Sequence, residues 1–378
     1  METTLPPELI VDILSRLPVK SLCRFRCVSK SLFNLINDPR FVKLHLKRTR
    51  RQRLFIAAKF VYTVDLETVT YECDKLVAME IDSLFWKSVN IDSPCWKPNH
   101  YHRQSPKWIQ VIGSSNGLLC IEIFQYLFLY NPSTKQCKQI PDFPSKHTKL
   151  CGFGYAETID DYKFVKIDFS GKHVQIYSLR NDSWTNIQID LHFNDTGYAE
   201  GILINGAIHW VVDDLEDQSK ILAFNLVEEK FQTLPSPDVM KENDGMYSLG
   251  RLRGCLCLSR EGNIHVSEFW VMKEYGVKGS WTRILISDMF YWLKPLCSLN
   301  TCDTILLLMN MHQLVFCNPK EGKFKNIEVD GIPDEVDDID DADWLDVNMY
   351  VESLVSPYNK RDFKTEDVWF KHSKVLQG

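Results

Sequence analysis

The sequence "YNPSTKQC", residues 130–137, returns four more times in altered form along the 378-residue chain. The other copies are "YSLRNDSW" (177–184), "FNLVEEKF" (224–231), "KEYGVKGSW" (273–281) and "CNPKEGKF" (317–324). Each copy follows a run of β-forming residues, contains a short polar turn and ends in an aromatic or sulfur side chain. The terminal residues are 47, 47, 50 and 43 positions apart, and a weaker copy, "VDLETVTY", ends at Tyr71.

A repeat of this length is typical of a four-stranded β-propeller blade. Six such units account for most of residues 54–357. The predicted fold class is therefore α+β multidomain, with a small helical segment in front of an all-β propeller of six blades. "YVESLVS" (350–356) is a candidate strand for closing the ring. A β-sandwich with regularly spaced strands is the alternative.

The charge is unevenly distributed along the chain. Residues 1–53 contain twelve Lys and Arg against four Asp and Glu, whereas the whole chain has a net charge of −6. A negative total does not favour a general nucleic-acid binder. The contrast predicts two segments of different chemistry.

The first 46 residues predict three short helices. The first, in "LPPELIVDILSRL" (5–17), has one apolar face, formed by Leu9, Ile10, Ile13, Leu14 and Leu17. Pro18 ends it, and a second helix continues to about Val28. Ser29 caps a third, "KSLFNLIN", which stops near Asp38-Pro39. Three short helices cannot bury all of these apolar positions among themselves, so some must contact another surface.

The sequence "LPPELIVDILSRLPVKSLCRFRCVSKS" (5–31), continued by "DPRFVKLHL" (38–46), resembles a plant-type F-box. The resemblance implies a three-helix module, residues 1–46, that docks onto the Skp-type adaptor of a Skp–cullin–F-box ubiquitin ligase and through it reaches the cullin. Carried over by position, the adaptor-binding residues are Leu5, Pro6, Leu9, Ile13, Leu14, Leu17, Pro18, Leu22, Val28 and Leu32. Leu32 stands where the family pattern has a tryptophan, which removes aromatic contact area.

The rest of the chain resembles the plant F-box-associated domain, which implies a kelch-like propeller. The resemblance rests on "GSSNGLLC" (113–120), "NPSTKQ" (131–136), "FWVMKEYGVKGSW" (269–281) and "YVESLVSP" (350–357). It implies a non-catalytic substrate-recognition subunit without a cofactor, whose propeller binds a protein target for ubiquitination. S-locus ribonucleases and immune receptors are the targets that the family suggests. The predicted domains are the F-box (1–46), a basic connector (47–53), the propeller (54–357) and a polar tail (358–378).

Two other functions fit parts of the sequence. "GSSNG" (113–117) matches the G-x-S-x-G elbow, which would make Ser115 the nucleophile of a serine-hydrolase-like propeller enzyme. That elbow needs a helix after it, but the β-forming "LLCIEIF" follows, so the turn of a β-meander is favoured. The basic N-terminal segment (residues 1–53) would suit a nucleic-acid binder. "KRTRRQR" (47–53) fits a nuclear-import patch, a phosphate-binding patch or a solvated connector.

Three further features have structural explanations that are favoured over functional ones. Cys95, His100 and His102 have loose metal-ligand spacing, but the prolines around them favour a surface loop, and no metal is expected. "DEVDDIDDADWLD" (334–346) carries eight carboxylates, which suit a solvated loop or a basic target but lack the EF-hand pattern. His209 is predicted to be a core or inter-blade residue.

The cysteines and the N-terminus indicate the compartment. Twelve cysteines occur without a C-x-x-C pair, which favours free, mostly buried thiols in a reducing compartment. The N-terminus lacks the features of a signal peptide, and no apolar run reaches the roughly 20 residues needed to cross a bilayer. The expected location is cytoplasmic, nuclear or both, with no membrane partner.

Overall fold

The computed structural model of the protein describes most of the chain. The described residues are 6–49, 51–57, 61–67, 69–80, 109–123, 126–141, 148–168, 171–189, 191, 193, 199–216, 218–241, 246–261, 268–286, 290–299, 303–332 and 345–359. Among them, no helix is both long enough and apolar enough to span a membrane.

The N-terminal residues 7–48, here called the head, are helical. The helices are α1 (Pro7–Leu14), α2 (Val19–Phe25), α3 (Lys30–Asn37) and α4 (Pro39–Arg48). The predicted cap at Ser29 is confirmed, since its hydroxyl accepts a hydrogen bond from the backbone N–H of Leu32 at 3.2 Å.

The prediction of three helices in the head is wrong, because α4 follows α3 directly. Asp38 ends α3 and also caps α4, where its carboxylate accepts a hydrogen bond from the N–H of Arg40 at 2.7 Å. Pro39 takes the first position of α4, which suits a residue that has no N–H. The Asp-Pro pair therefore ends α3 and begins α4.

Residues 52–351, here called the body, are built from β-strands. One sheet contains β4 (Ile109–Ser115), β5 (Leu118–Ile123), β6 (Tyr126–Asn131) and β7 (Gln136–Gln139). The next contains β8 (Thr148–Ala156), β9 (Asp161–Asp168), β10 (His173–Ser178), β11 (Ser183–Gln188) and, parallel to β8, β12 (Ala199–Glu200). A third contains β13 (Ile202–Ile204), β14 (Ala207–Asp213), β15 (Ser219–Asn225) and β16 (Lys230–Leu234). A fourth contains β17 (Met246–Leu252), β18 (Cys255–Glu261), β19 (Glu268–Met272) and β20 (Trp281–Leu285).

A fifth sheet has eight strands and joins the two ends of the chain. One half contains β21 (Leu293–Ser298), β22 (Ile305–Met309), β23 (Gln313–Asn318) and β24 (Lys323–Asp330). The other half contains β3 (Lys75–Glu80), β2 (Val61–Asp65), β1 (Gln52–Ala57) and β25 (Asp346–Val351). Each half is antiparallel, and β24 pairs with β3 in parallel.

The β-propeller class is confirmed, but the prediction of six separate blades is wrong. The described strands form four separate blade-sized sheets and the eight-stranded one. Glu328, Val329 and Asp330 of β24 pair with residues 75–77 of β3, and this pairing merges two four-stranded halves. A repeat spacing cannot predict that merger, because it concerns the outer edges of strands far apart in sequence.

Apolar cores lie between neighbouring sheets, as a propeller requires. On β1, Leu54 and Ile56 pack with residues of β22 and β23, whereas Phe55 packs with residues of β4, β5 and β6. Alternate residues of one strand therefore face opposite neighbours. Both faces of the strand are buried, which is why such strands are almost continuously apolar.

The repeated turns occupy equivalent places in the sheets. All five clear copies connect the third strand of a sheet or half-sheet to the fourth, as in the turn between β6 and β7. The weaker copy ending at Tyr71 lies between β2 and β3. Two of the terminal aromatics, Trp184 and Trp281, connect neighbouring sheets, since their indole N–H groups donate to the carbonyl oxygens of Pro141 (2.7 Å) and Pro235 (3.0 Å).

The chain is closed by pairing between its N-terminal and C-terminal strands. β25 pairs with β1 in antiparallel register from Gln52–Val351 to Ala57–Asp346. The closing strand predicted at 350–356 is thus present but ends at Val351. Residues 352–359, here called the C-terminal segment, leave the sheet and pass to the head.

Candidate functional site: docking surfaces of the head and the body

The residues predicted to bind the adaptor separate into groups of different exposure. The exposed ones are Pro6, Leu9, Ile13 and Val28. The partly buried ones are Leu17, Pro18 and Leu32. The buried ones are Leu14 and Leu22. Leu5 lies outside the described residues, and adaptor binding by the set stays a prediction.

The positions of apolar residues around α1 explain why some of them are exposed and others are buried. Leu9 and Ile13 are four residues apart on one stripe of the helix, and their exposed fractions are 50% and 51%. Leu14 lies on the next stripe and is buried in the core of the head with Leu22. These two residues support the helices from inside, which differs from the surface role that the resemblance implies for them.

The position of the missing tryptophan is partly buried. Leu32 packs against the core of the head, in the first turn of α3. Phe25, which the sequence analysis missed, is more exposed and ends α2 three residues before Val28. The three-residue separation between Phe25 and Val28 was the sequence signal that could have identified Phe25. Leu9, Ile13, Phe25 and Val28 are called the exposed head residues below.

The C-terminal segment ties the head to the body. Leu354 is buried in the core of the head, between residues of α1, α2, α3 and α4. Its neighbours Ser353 and Val355 are held by Asn131 of the body, whose amide N–H groups donate to their carbonyl oxygens at 3.0 and 2.7 Å. Tyr358 donates to the carbonyl oxygen of Cys137 at 2.5 Å. The sequence analysis gave no sign of this connection.

The predicted basic connector takes part in ion pairs with the body and the C-terminal segment, close to the junction with the head. Arg53 Nε lies 2.6 Å from Glu352 Oε1, and Arg53 Nη2 lies 2.8 Å from Asp65 Oδ2. Arg51 Nε lies 3.0 Å from Glu67 Oε1. These side chains are fixed at a junction, so they do not form the open basic face that a nucleic-acid duplex would need.

The serine-hydrolase alternative is not supported by the geometry. Ser115 ends β4 and a two-residue turn leads into β5, so the chain makes a hairpin instead of the strand-to-helix elbow. Ser115 also borders a cavity of about 660 Å³ in the body, and no histidine is among the described residues that line it. A serine nucleophile needs a base within hydrogen-bond reach.

Burial disfavours the thiolate form of several cysteines. Ten cysteines lie in the described residues, and six of them are buried. Burial raises the pKa of Cys137, Cys297 and Cys317 to about 12. Nucleophilic cysteines instead have a lowered pKa.

The candidate metal ligands Cys95, His100 and His102 lie outside the described residues, and so do residues 334–344 of the acidic run. Asp346, its last residue, accepts a hydrogen bond from the N–H of Val111 at 2.7 Å. Within the part of the chain that the structure describes, no group of three or more His, Cys, Asp or Glu side chains is placed to hold a metal ion.

The head contacts one end of the body. Lys43 of α4 lies 2.8 Å from Asp160, in the turn between β8 and β9. The turn between β4 and β5 packs at Gly117 against Ser353 of the C-terminal segment, which leads to the head. The end of β21 faces the head across a cavity. Each of these turns or strand ends lies where the first strand of a sheet or half-sheet finishes. The opposite strand ends therefore point away from the head.

Large apolar side chains are exposed at the end of the body that faces away from the head. Four of them, Tyr126, Leu215, Met246 and Tyr291, lie where strands begin or turn at this end. Met246 has the largest exposed fraction, 71%. Each of the four lies in or next to a different sheet, and aromatic residues and methionine are side-chain types that protein interfaces favour. These four residues are called the target face.

Comparison with known proteins agrees with the two-part architecture. The profile of the F-box domain matches residues 3–44, and that of the F-box associated beta propeller domain matches residues 76–351. F-box protein CPR1 of Arabidopsis thaliana is 28% identical, covering 87% of this chain and 86% of its own length. An F-box/kelch-repeat protein of the same plant is also 28% identical, covering 93% of this chain and 96% of its own.

Among solved structures, a chain from a nidogen–laminin complex has a TM-score of 0.47 and 10% identity, covering 80% of this chain and 99% of that one. Its similarity is too low to indicate a function. The matches to the two domain profiles and to the plant relatives are more informative. The chain belongs to the plant F-box proteins that carry an F-box associated beta propeller domain.

Proposed function

We propose that the chain is the substrate-recognition adaptor of a Skp–cullin–F-box ubiquitin ligase. The observation that carries the proposal is a helical F-box with exposed Leu9 and Ile13, fixed to a β-propeller by the buried Leu354. The exposed head residues would bind the Skp-type adaptor, and through it the cullin. The head is also basic, which would speed encounter with an acidic partner more than it would strengthen binding.

The proposed mechanism is positional and needs no catalytic group in this chain. A target bound to the body would be held near the reactive thioester of a partner, which raises the effective concentration of its lysines. The head must keep a fixed orientation to the body for this purpose. The Arg53–Glu352 pair and the hydrogen bonds of Asn131 support such rigidity.

The target face is the surface that we propose for the target. It lies opposite the head, so a bound target and the Skp-type adaptor would not compete for space. Aromatic residues and methionine are enriched in protein interfaces, and Tyr126, Tyr291 and Met246 are of these types. Ribonucleases and immune receptors remain the suggested target classes, and the cytoplasm or nucleus the suggested location.

Binding to a purified Skp-type adaptor tests the first part of the proposal. Ile13→Asp places a charge at an exposed position of α1, so the chain should fold normally and bind the adaptor at least tenfold more weakly. Burying an isoleucine contributes about 1.5–3 kcal/mol, and a buried carboxylate would be unfavourable as well. Val227→Asp, at an exposed position of the body, is the matched control and should bind like the wild type.

A second substitution separates docking from folding. Leu14→Asp puts a charge into the core of the head and should increase hydrogen exchange throughout α1–α4. Ile13→Asp should leave that exchange unchanged. If the wild type binds the adaptor no better than a chain with a scrambled head, or if Ile13→Asp binds as well as the wild type, the proposed docking face is wrong.

The target face is tested with the Ile13→Asp chain, which should retain targets without delivering them to the ligase. Affinity capture from plant extract is repeated after adding Met246→Asp and Tyr291→Asp to that chain. Proteins that depend on the target face should be lost. Addition of Val227→Asp should leave them bound, and equal recovery from both chains would contradict this placement.

A further inference from the structure

A cavity of about 230 Å³ lies between the head and the body. The head contributes the residues just after α1 and the end of α4. The body contributes the start of β1, the loop after β2 and the end of β21. The cavity is separate from the exposed head residues and from the target face, so the proposed function does not use it.

Positive charge dominates the wall of this cavity. Three guanidinium groups line it, from Arg16, Arg48 and Arg51, against the single carboxylate of Glu67. Asp12, next to the wall, contacts Arg16 Nε at 3.2 Å and Arg48 Nη1 at 2.7 Å. Arg48 Nη1 also donates to Ser15 Oγ and to the carbonyl oxygen of Asp12. A guanidinium has five N–H donors, so each of the three arginines keeps donors that no described residue takes up.

The wall also contains a buried polar atom that lacks a partner. His45 of α4 is buried, and its Nε2 lies 2.9 Å from the carbonyl oxygen of Leu17. The other ring nitrogen, Nδ1, has no hydrogen-bond partner among the described residues. Because the carbonyl oxygen of Leu17 can only accept, Nε2 carries the proton and Nδ1 is left as an acceptor. Buried polar atoms normally have a partner, and here a water molecule or the P–OH group of a protonated phosphate could donate to Nδ1. Because a water molecule takes about 30 Å³ of liquid, the cavity has room for several waters or one small oxyanion.

We propose that this cavity binds a small, soluble phosphate-class oxyanion. Arginine suits such a ligand, because its planar N–H groups match the oxygens of a phosphoryl group. Arg16 and Arg48 belong to the head, and Arg51 stands at the junction where Glu67 of the body holds it. A bound anion would therefore contact both parts of the molecule and hold the head at a fixed orientation to the body.

The ion pair between Arg51 and Glu67 allows a test with opposite outcomes. Arg51→Gln and Glu67→Gln both break this pair, so any effect through stability has the same sign in both variants. The effects on binding differ. Arg51→Gln removes a donor and a positive charge, and should weaken phosphate binding about tenfold. Glu67→Gln removes a repulsive charge, and should strengthen it several-fold.

The measurement is isothermal titration of the full-length chain with inorganic phosphate and, in a second series, with pyrophosphate, at ionic strength held constant with chloride. Arg283→Gln is the control, since the exposed Arg283 forms a comparable ion pair with Glu268, at 3.0 Å, on strands of another sheet. It should bind phosphate like the wild type. Hydrogen exchange at the ends of α1 and α4 should slow when phosphate is added.

Two results would overturn the proposal. One is the absence of saturable binding of both phosphate and pyrophosphate to the wild type. The other is an affinity that Arg51→Gln and Glu67→Gln leave unchanged or shift in the same direction. Phosphate could also raise the melting temperature equally in the wild type, Arg51→Gln, Glu67→Gln and Arg283→Gln. Such an equal rise is a general effect of an excluded salt, and it would contradict the proposal like the second result.

Discussion

His209 shows how a single buried residue connects two sheets. It is fully buried on β14, and its Nδ1 lies 3.1 Å from the carbonyl oxygen of Ile202. Its Nε2 lies 2.8 Å from the hydroxyl of Tyr275, which belongs to the neighbouring sheet. The prediction of an inter-blade histidine is confirmed. Burial lowers the pKa of His209 to about 4.

This low pKa predicts a loss of stability in acid. Between pH 6.5 and pH 4 the unfolded chain binds a proton at this histidine and the folded chain does not. The free energy of unfolding therefore falls as the pH decreases through that window, and the contribution is complete above it. From pH 7.5 to pH 5 the loss from His209 amounts to about 2 kcal/mol, at about 1.4 kcal/mol for each pKa unit.

Comparison with His209→Gln isolates this contribution. The glutamine keeps a polar group near Tyr275 but does not titrate, so the variant should be less stable at pH 7.5 and lose about 2 kcal/mol less than the wild type on going to pH 5. Urea unfolding at the two pH values measures the difference, and all other titrating groups cancel. Parallel losses in both proteins would show that His209 is protonated equally in the folded and unfolded chains.

At the scale of strands and turns, the second glycine of "GSSNG" has a structural explanation. Gly117 lies in the turn between β4 and β5 with a φ of +85°. A Cβ there would overlap the hydroxyl of Ser353 and lie 2.5 Å from the carbonyl oxygen of Val351. Gly206, in the turn between β13 and β14, has a φ of +75° and nothing within 4 Å of such a Cβ. The two turns therefore differ in the atoms that pack against the glycine.

Alanine at these two glycines should therefore have different costs. Both substitutions add strain of about 1–2 kcal/mol, because the backbone has a positive φ. Gly117→Ala should cost about 1–3 kcal/mol more, since it displaces the C-terminal segment from a packed site. Urea unfolding measures the difference, and hydrogen exchange should increase at residues 352–359 only in Gly117→Ala. Equal losses in the two variants would mean that the segment is not held at this turn.

The sequence predicts local elements well and contacts between distant elements poorly. The hairpin turns are predictable because polar turn residues such as those in "NPST" and "NPKE" follow apolar strands. Asn131 and Asn318, at the ends of β6 and β23, accept backbone hydrogen bonds within their own turns. Asn131 also holds the C-terminal segment, 222 residues away in sequence, and nothing in its turn distinguishes it from Asn318. The merging of β24 with β3 is hidden for the same reason.

Exposure in the head was only partly predictable. Apolar spacing assigned Leu9, Ile13 and Leu14 to one face of α1, and that face proves to be divided between solvent and core. The division depends on Leu354, which fills the core of the head from the far end of the chain. A pattern within one helix cannot show which part of its apolar face another segment covers.

At the scale of the whole molecule, Leu354 makes the head dependent on the closed body. β25 closes the ring against β1, and three residues after its end Leu354 lies among Leu14, Leu22 and Ile36. The head therefore receives part of its core only when the propeller is closed. Folding of the docking helices and closure of the ring are expected to be coupled.

Leu354→Ala tests this coupling. The cavity left in the head should lower the free energy of unfolding by about 2–5 kcal/mol and increase hydrogen exchange in α1–α4. Binding to a purified Skp-type adaptor should weaken as well, because a smaller fraction of chains has the head in its binding-competent form. Leu256→Ala makes the same change in the core between β14, β18 and their neighbours, away from the head. It should destabilise the body by a similar amount and leave adaptor affinity unchanged, and equal adaptor affinities for the two variants would show that the head folds independently of ring closure.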